Sequence, residues 1–262
     1  MVKNWPARLV RDLLELPFFH IAFSGGLDSR FICYAAKLLG CKFIAWHVKG
    51  PHIPAHESEQ AMEWARKNNI SAEYIDFDPL QNSRIAANDR KRCYYCKRDL
   101  FARICAAGRI VVDGTNADDL TTFRPGLLAL RELGIISPLA NAGLTKKEIH
   151  ILAARIGLDD PWQKARPCLL TRFAYGQIPD YYRLQKIEKV EAEIAKIAGS
   201  LDFRLRLLPN PLLQIEEGDS FDMEKAYAIL HEHGFENVAI LPVKSVSGFF
   251  DKPCTKNQNG FE

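Results

Sequence analysis

The sequence predicts an α/β fold: an open, mostly parallel sheet with helices on both faces, followed by a small C-terminal α+β domain. Three observations carry this expectation. Between residues 18 and 140, short apolar runs alternate with stretches whose apolar residues recur at helical spacing. The stretch His20–Arg30, H-I-A-F-S-G-G-L-D-S-R, runs from the end of a buried strand through two glycines into a helix. Residues 157–180 are rich in Pro, Gly and Arg and lack periodicity, which sets a boundary between domains 1–165 and 166–262.

Taken in order, Trp5–Phe19 reads as an amphipathic helix, with Arg8, Arg11, Asp12 and Glu15 at intervals along it. Ile21-Ala22-Phe23 ends the first strand, and Leu27–Leu39 is a helix. Strands follow at Lys42–Val48, Glu73–Phe77 and Arg109–Asp113, and helices at Ala55–Asn68 and Cys96–Ala106. A helix closes over Arg131–Gly134 before the short run Ile135-Ile136. Thr145–Ile156 opens with T-K-K-E, a capping-box start. In the second domain Tyr181–Ala198 and Phe221–His233 read as helices, and Phe203–Leu207, Leu212–Glu216 and Val238–Val243 as strands. The polar tail Asp251–Glu262 reads as mobile.

With 262 residues, 47% hydrophobic and 26% charged, the composition is that of a soluble protein with a sizeable core. A net charge of +3 is too small to argue for nucleic acid. No run is long enough to span a bilayer, and a cytoplasmic location follows as the default. Seven cysteines, an odd count, fit reduced thiols or a metal centre better than a disulfide framework.

The Ser24-Gly25-Gly26 junction leaves backbone N–H groups converging on one spot, where the helix dipole adds positive potential. That is an anion site suited to phosphate. Ser24 and Ser29 add hydroxyl donors, and Asp28 can hold a metal ion or water beside the phosphates. There is no G-x-x-x-x-G-K-[ST], so this is not the common NTPase loop. S-G-G-L-D-S resembles instead the signature of the PP-loop ATP pyrophosphatases, which cleave ATP between the α- and β-phosphates and adenylate an acceptor.

Two further constellations carry chemistry. Cys93 and Cys96 stand in C-x-x-C spacing in R-C-Y-Y-C-K, a pattern open to half a zinc site, a redox pair or two buried small residues. Cys168 lies among Lys164, Arg166 and Arg172, cations that favour thiolate. Cys33, Cys41 and Cys105 read as core, and Cys254 falls in the tail. Asp118 and Asp119, after the fourth strand in D-G-T-N-A-D-D, can bind Mg²⁺, and Arg124 in R-P-G can contact an anion.

The ordered set S-G-G-L-D-S, R-C-Y-Y-C-K, D-G-T-N-A-D-D-L, R-P-G-L, S-P-L-A-N-A-G-L-T-K-K-E-I and P-C-L-L-T-R-F-A-Y-G resembles the LarE family over nearly the whole chain. These are ATP-dependent sulfur transferases of nickel-pincer nucleotide synthesis. The resemblance implies adenylation of a carboxylate on a pyridinium dicarboxylate mononucleotide, then displacement of AMP by sulfur. It implies ATP and Mg²⁺ at Ser24, Gly25, Gly26, Asp28, Ser29, Asp118, Asp119, Arg124 and Arg172. It assigns the acceptor to Arg204 and Arg206, and metal to Asp28 and Glu216. In one branch a lone cysteine matching Cys168 gives up its own sulfur and becomes dehydroalanine. In another, cysteines matching Cys93, Cys96 and Cys168 hold a [4Fe-4S] cluster that takes sulfur from a sulfide donor. All three are present, so the second branch is the better match, with Cys168 and Asp28 as the catalytic pair. A homo-oligomer is the expected assembly.

The chain departs from the family where R-V-R-H-H-G-x-L-A-R-I-E becomes R-L-R-L-L-P-N-P-L-L-Q-I-E, with Leu207, Leu208 and Gln214 replacing two histidines and an arginine. After the second strand, His56 stands where arginine is common. These departures leave room for a paralogue that thiolates or desulfurates another acceptor. Two other readings stand beside it: a tRNA-thiolating enzyme, since related PP-loop proteins use similar cysteine triads, and a non-catalytic nucleotide- or zinc-binding module with zinc on the three cysteines and His52 or His56.

Overall fold

The structure is a computed structural model, and it describes residues 5–121, 124–218 and 221–251. Cys254 and the tail after Asp251 lie outside the described residues. The chain divides into two compact units, residues 1–168 and 169–262.

In the first unit, helix α1 (Ala7–Leu14) leads to β1 (Phe18–Ala22), α2 (Leu27–Leu38), β2 (Lys42–Lys49), α3 (Ala55–Lys67) and β3 (Ala72–Asp76). A short α4 (Ser83–Ala86) precedes α5 (Arg92–Ile104), β4 (Val111–Val112), α6 (Pro125–Glu132), a short α7 (Pro138–Asn141) and α8 (Lys146–Arg155). The four strands are all parallel, in the order β3-β2-β1-β4. The chain moves outward from β1 to β3 and then returns to the other side of β1. The strand order therefore reverses between β1 and β4, and the crevice at their carboxyl ends is the switch point where such sheets bind ligands.

Alternation along β1 shows why both faces are covered. Phe19 and Ile21 of β1, with Phe23 just beyond it, point into a core shared with α1, α2, α3 and α8, where Leu9, Phe31, Ala61 and Ala153 are buried. Ala22, with Trp46 and Ile75 on its neighbours, faces Phe101 and Ile104 of α5 and Leu130 of α6. Each fully buried Phe, Leu or Ile contributes roughly 2 kcal/mol of transfer free energy.

Several expected boundaries move for local reasons. The first helix is held to eight residues between Pro6 and Pro17. The third long helix starts at Arg92, not Cys96, because Asp89 accepts the Lys91 N–H at 2.7 Å and opens the turn early. Both cysteines of the C-x-x-C pair are thus helical. The fourth strand shrinks to two residues, Val111–Val112; beyond it the Asp113 N–H still donates to the Ile136 carbonyl at 2.9 Å, while its carboxylate takes the hydroxyls of Thr115 and Ser137. The capping box at Thr145 forms in full.

The second unit contains α9 (Tyr181–Ala198), β5 (Phe203–Arg206), β6 (Leu212–Glu216), α10 (Met223–Glu232) and β7 (Ala239–Val243). Its sheet has the order β5-β6-β7, antiparallel then parallel. Asp180 and Asp222 cap the two helices through the N–H groups of Arg183 and Lys225.

Candidate functional site

The glycine loop sits at the carboxyl end of β1, at the switch point. Gly25 has φ +78°, and a Cβ there would lie 2.7 Å from the Ala61 Cβ, so both conformation and space demand glycine. Ser24 Oγ accepts the Gly26 N–H at 3.3 Å and lies 3.2 Å from Ser29 Oγ, whose hydroxyl donates to the Gly26 carbonyl at 2.9 Å. Gly114, after β4, approaches so closely that a Cβ would sit 3.1 Å from the Ser29 nitrogen. Backbone from both sides of the switch point therefore meets at the start of α2.

Behind the loop, buried His47 on β2 fixes its root. One ring nitrogen lies 2.9 Å from the Phe23 carbonyl and the other 3.1 Å from Ser58 Oγ. Burial lowers its pKa, so the ring is neutral and its Nδ1–H donates to Phe23.

Asp28 does not stand alone. Lys146 Nζ donates to its Oδ1 at 2.7 Å, and Asn116 Nδ2 to its Oδ2 at 3.3 Å. The Lys146 backbone N–H donates to Asp118 at 2.8 Å, so one residue of α8 ties Asp28 to the acidic segment. Asp119 accepts the Asn116 N–H and pairs with Arg124 Nη2 at 2.9 Å. Sequence reasoning passed over Lys146, although T-K-K-E puts two cations in a helix's first turn, where the dipole disfavours them. That misplaced charge was the available signal.

Cys93, Cys96 and Cys168 belong to the same unit. Cys93 and Cys96 occupy the opening turns of α5, three positions apart and so on one face. Burial raises the Cys96 pKa, and the neighbouring Cys168 and Cys93 push it further the same way. Cys96 thus lies close enough to both Cys93 and Cys168 to feel their charge. Arg92 and Lys97 oppose the shift, and Arg92 Nη2 lies 3.7 Å from Cys93 Sγ. Among the described residues, no three His, Cys, Asp or Glu side chains are close enough to hold a single metal ion as they stand. Gly126 in R-P-G lets α6 come up against α5: a Cβ there would lie 3.3 Å from the Cys93 carbonyl oxygen. Cys33 is fully buried in the core, and Cys41 and Cys105 pack against it or its neighbour. His52 is buried against Phe77, its Nδ1 without a hydrogen-bond partner among the described residues, while His56 is exposed at the head of α3.

The remaining candidates belong to the second unit. Arg172 makes a bidentate pair with Glu191 of α9 at 2.9 and 2.7 Å. Arg204 and Arg206 project from the same face of β5, both buried. Arg204 bonds the Asp202 carboxylate. Arg206 donates to Gln214 Oε1 at 2.8 Å, to the Thr171 carbonyl at 2.9 Å and to the Val246 carbonyl, with the rings of Phe249 and Phe250 beside it. Burial lowers its pKa to about 10, with Arg172 and Arg204 acting in the same direction. It remains a cation at neutral pH, and among the described residues its hydrogen-bond acceptors are uncharged. The Glu216 carboxylate accepts the Asp202 N–H at 3.2 Å.

No protein-family model matches the chain. Three proteins resemble it over most of their length. It is 34% identical over 210 residues to an uncharacterized protein of Synechocystis sp., covering 77% of this chain and 77% of that one. It is 31% identical over 230 residues to an uncharacterized protein of Methanocaldococcus jannaschii, covering 84% and 87%. It is 32% identical over 218 residues, 80% and 78% of the two chains, to the pyridinium-3,5-bisthiocarboxylic acid mononucleotide synthase of Lactiplantibacillus plantarum.

Proposed function

The chain belongs to the LarE family, that of the Lactiplantibacillus synthase, and from that premise we propose that it transfers sulfur to a carboxylate of a nucleotide-like acceptor after activating it with ATP. The observation that carries the reading is the glycine loop at the switch point, with Asp28 held between Lys146 and Asn116.

In this reading the N–H groups of the loop, with Ser24 and Ser29, hold the phosphates of ATP. Asp28, with Asp118 and Asp119 at hand, would hold Mg²⁺ against them. The acceptor carboxylate attacks the α-phosphorus, the α–β bond breaks, and pyrophosphate leaves as the acyl-adenylate forms. Lys146 then has phosphate charge to neutralise in place of Asp28. Sulfur attacks the acyl carbon and AMP departs, leaving a thiocarboxylate. Arg206, a buried cation with neutral partners, and Arg204 fit the acceptor's phosphate. Gln214, where the family resemblance expects arginine, leaves that cluster one cation poorer and widens the range of acceptors to be tried.

Cys93, Cys96 and Cys168 would hold a [4Fe-4S] cluster, which when bound supplies an iron able to carry sulfide for transfer. The proximity of Cys96 to Cys93 and Cys168 and the cations Arg92 and Lys97 beside it suit a group bearing several thiolates. A homo-oligomer and a cytoplasmic setting accompany this proposal, and no helix among the described residues is long and apolar enough to cross a membrane.

The test incubates anaerobically prepared protein with ATP, Mg²⁺, pyridinium dicarboxylate mononucleotide and sulfide. AMP and pyrophosphate, about four irons per chain and an unchanged protein mass are the expected results. ADP as product would refute the adenylation. Dehydroalanine at position 168 would refute the cluster in favour of a sacrificed thiol.

A further inference from the structure

Arg30 follows Ser29 in the opening turn of α2 and is only 4% exposed. A cation there opposes the helix dipole, and the glycine loop makes no use of it. Its guanidinium reaches across to the irregular strap that follows α8. Nη1 donates to the Asp159 carbonyl at 2.9 Å and to Asp159 Oδ1 at 3.4 Å. Nη2 donates to the Asp160 carbonyl and to Gln163 Oε1, both at 3.0 Å. The Trp64 indole N–H donates to the same Asp159 carboxylate at 2.6 Å, and the guanidinium lies 5.7 Å from the Trp64 ring centre. Trp64 in turn lies 5.6 Å from Phe23, the residue before Ser24. Farther along the strap, Arg166 donates to Gln60 of α3 at 2.9 Å. Two residues later comes Cys168.

A role in stability alone does not account for this arrangement. Arg30 is buried against a carboxylate that is 66% exposed, and its Nε has no hydrogen-bond partner among the described residues. Burying a charge on those terms returns little, and an apolar residue of similar size would serve the helix better. We propose that Arg30 is a positioning residue that fastens the strap bearing Cys168 to the glycine loop, so that the thiol is held in register with the phosphates. Its importance for catalysis rests on the reading of Cys168 given above, but the fastening itself is separately testable.

The experiment uses the full-length protein without metal or nucleotide and needs no activity. It measures peptide-resolved amide hydrogen exchange and the rate at which iodoacetamide alkylates Cys168. Arg30→Met should speed both exchange over residues 159–163 and alkylation of Cys168 by about tenfold, the factor for one charged hydrogen bond lost from a local opening equilibrium. Exchange in β1 and in the rest of α2 should not change. Arg30→Lys, which keeps the charge but not the fork, should not restore the wild-type rates. Unchanged rates in the strap, or an increase spread equally over β1 and α2, would overturn the proposal. Should Arg30→Met fail to fold, Gln163→Ala and Trp64→Phe each remove one tie, and the same confined but smaller increase decides the question. If wild-type protein yields no pyrophosphate from ATP while the strap still loosens in Arg30→Met, the functional reading falls and the fastening stands.

Discussion

Lys146 and Asp28 form the pair on which the site's charge balance turns. The two side chains are 34% and 21% exposed, so breaking the pair costs under about 1 kcal/mol of stability. Lys146→Met should therefore leave the thermal unfolding midpoint nearly unmoved. Pyrophosphate release should nevertheless fall by at least about tenfold, because a preorganised cation at developing phosphate charge is worth more than a surface ion pair. A loss of activity that merely tracks a loss of folded protein would refute that role. His52 supplies a pH dependence. Burial lowers its pKa from 6.5 to about 4, against a smaller opposing pull from Asp78. Between those values the unfolded chain binds the proton and the folded chain does not. Its contribution is thus fully present above pH 6.5 and is lost as pH falls toward 4, by about 3 kcal/mol. His47 and His20 shift in the same direction, again first through burial. Denaturant titrations across this range should show stability falling with acid, and His52→Phe should flatten part of the slope.

At the scale of elements, Gly25 tests the loop most directly. Gly25→Ala should abolish nucleotide binding, since it meets both a left-handed φ and the Ala61 Cβ. Adding Ala61→Gly relieves the contact but not the dihedral. The double variant should recover about 1 kcal/mol of the lost stability and little of the binding. Strict additivity in denaturation would show that the contact is irrelevant. Much of the architecture was legible in the sequence because the first unit is built of long, regularly patterned elements. The strand–glycine–helix junction, the T-K-K-E cap and α9 follow from local chemistry. What escaped was set by small turns and by distant partners. The early start of α5 follows the turn that Asp89 makes with Lys91, two residues on, and beyond β4 Asp113 pairs with Ile136 and Ser137, over twenty residues away. The partnership of Arg30 with Asp159 and Gln163 spans about 130 residues and leaves no local pattern. For the site, the sequence pointed to Asp28 but not to Lys146, because spacing along a chain says nothing of which charge a fold will bring to which.

Over the whole molecule, two kinds of cation have been kept apart. In residues 1–168 the proposed phosphate loop has its backbone dipoles and a lysine already engaged by a carboxylate. In residues 169–262, Arg172 is engaged by Glu191, whereas among the described residues the hydrogen bonds of Arg206 go to carbonyl and amide oxygens, with Glu191 and Asp202 acting on it from farther off. An anion arriving at Arg206 need displace no carboxylate hydrogen-bonded to it among the described residues. Its affinity would then be governed by the visitor's own ionisation, since the arginine stays charged well above neutrality. A phosphate monoester sheds its second proton near pH 6. Binding of a nucleoside monophosphate, followed by calorimetry, should tighten as pH rises through 6 and then stay level to about pH 9. Arg206→Met should weaken binding at every pH without moving that midpoint, because the titrating group belongs to the ligand. A midpoint that moved with the substitution would place the titration on the protein instead.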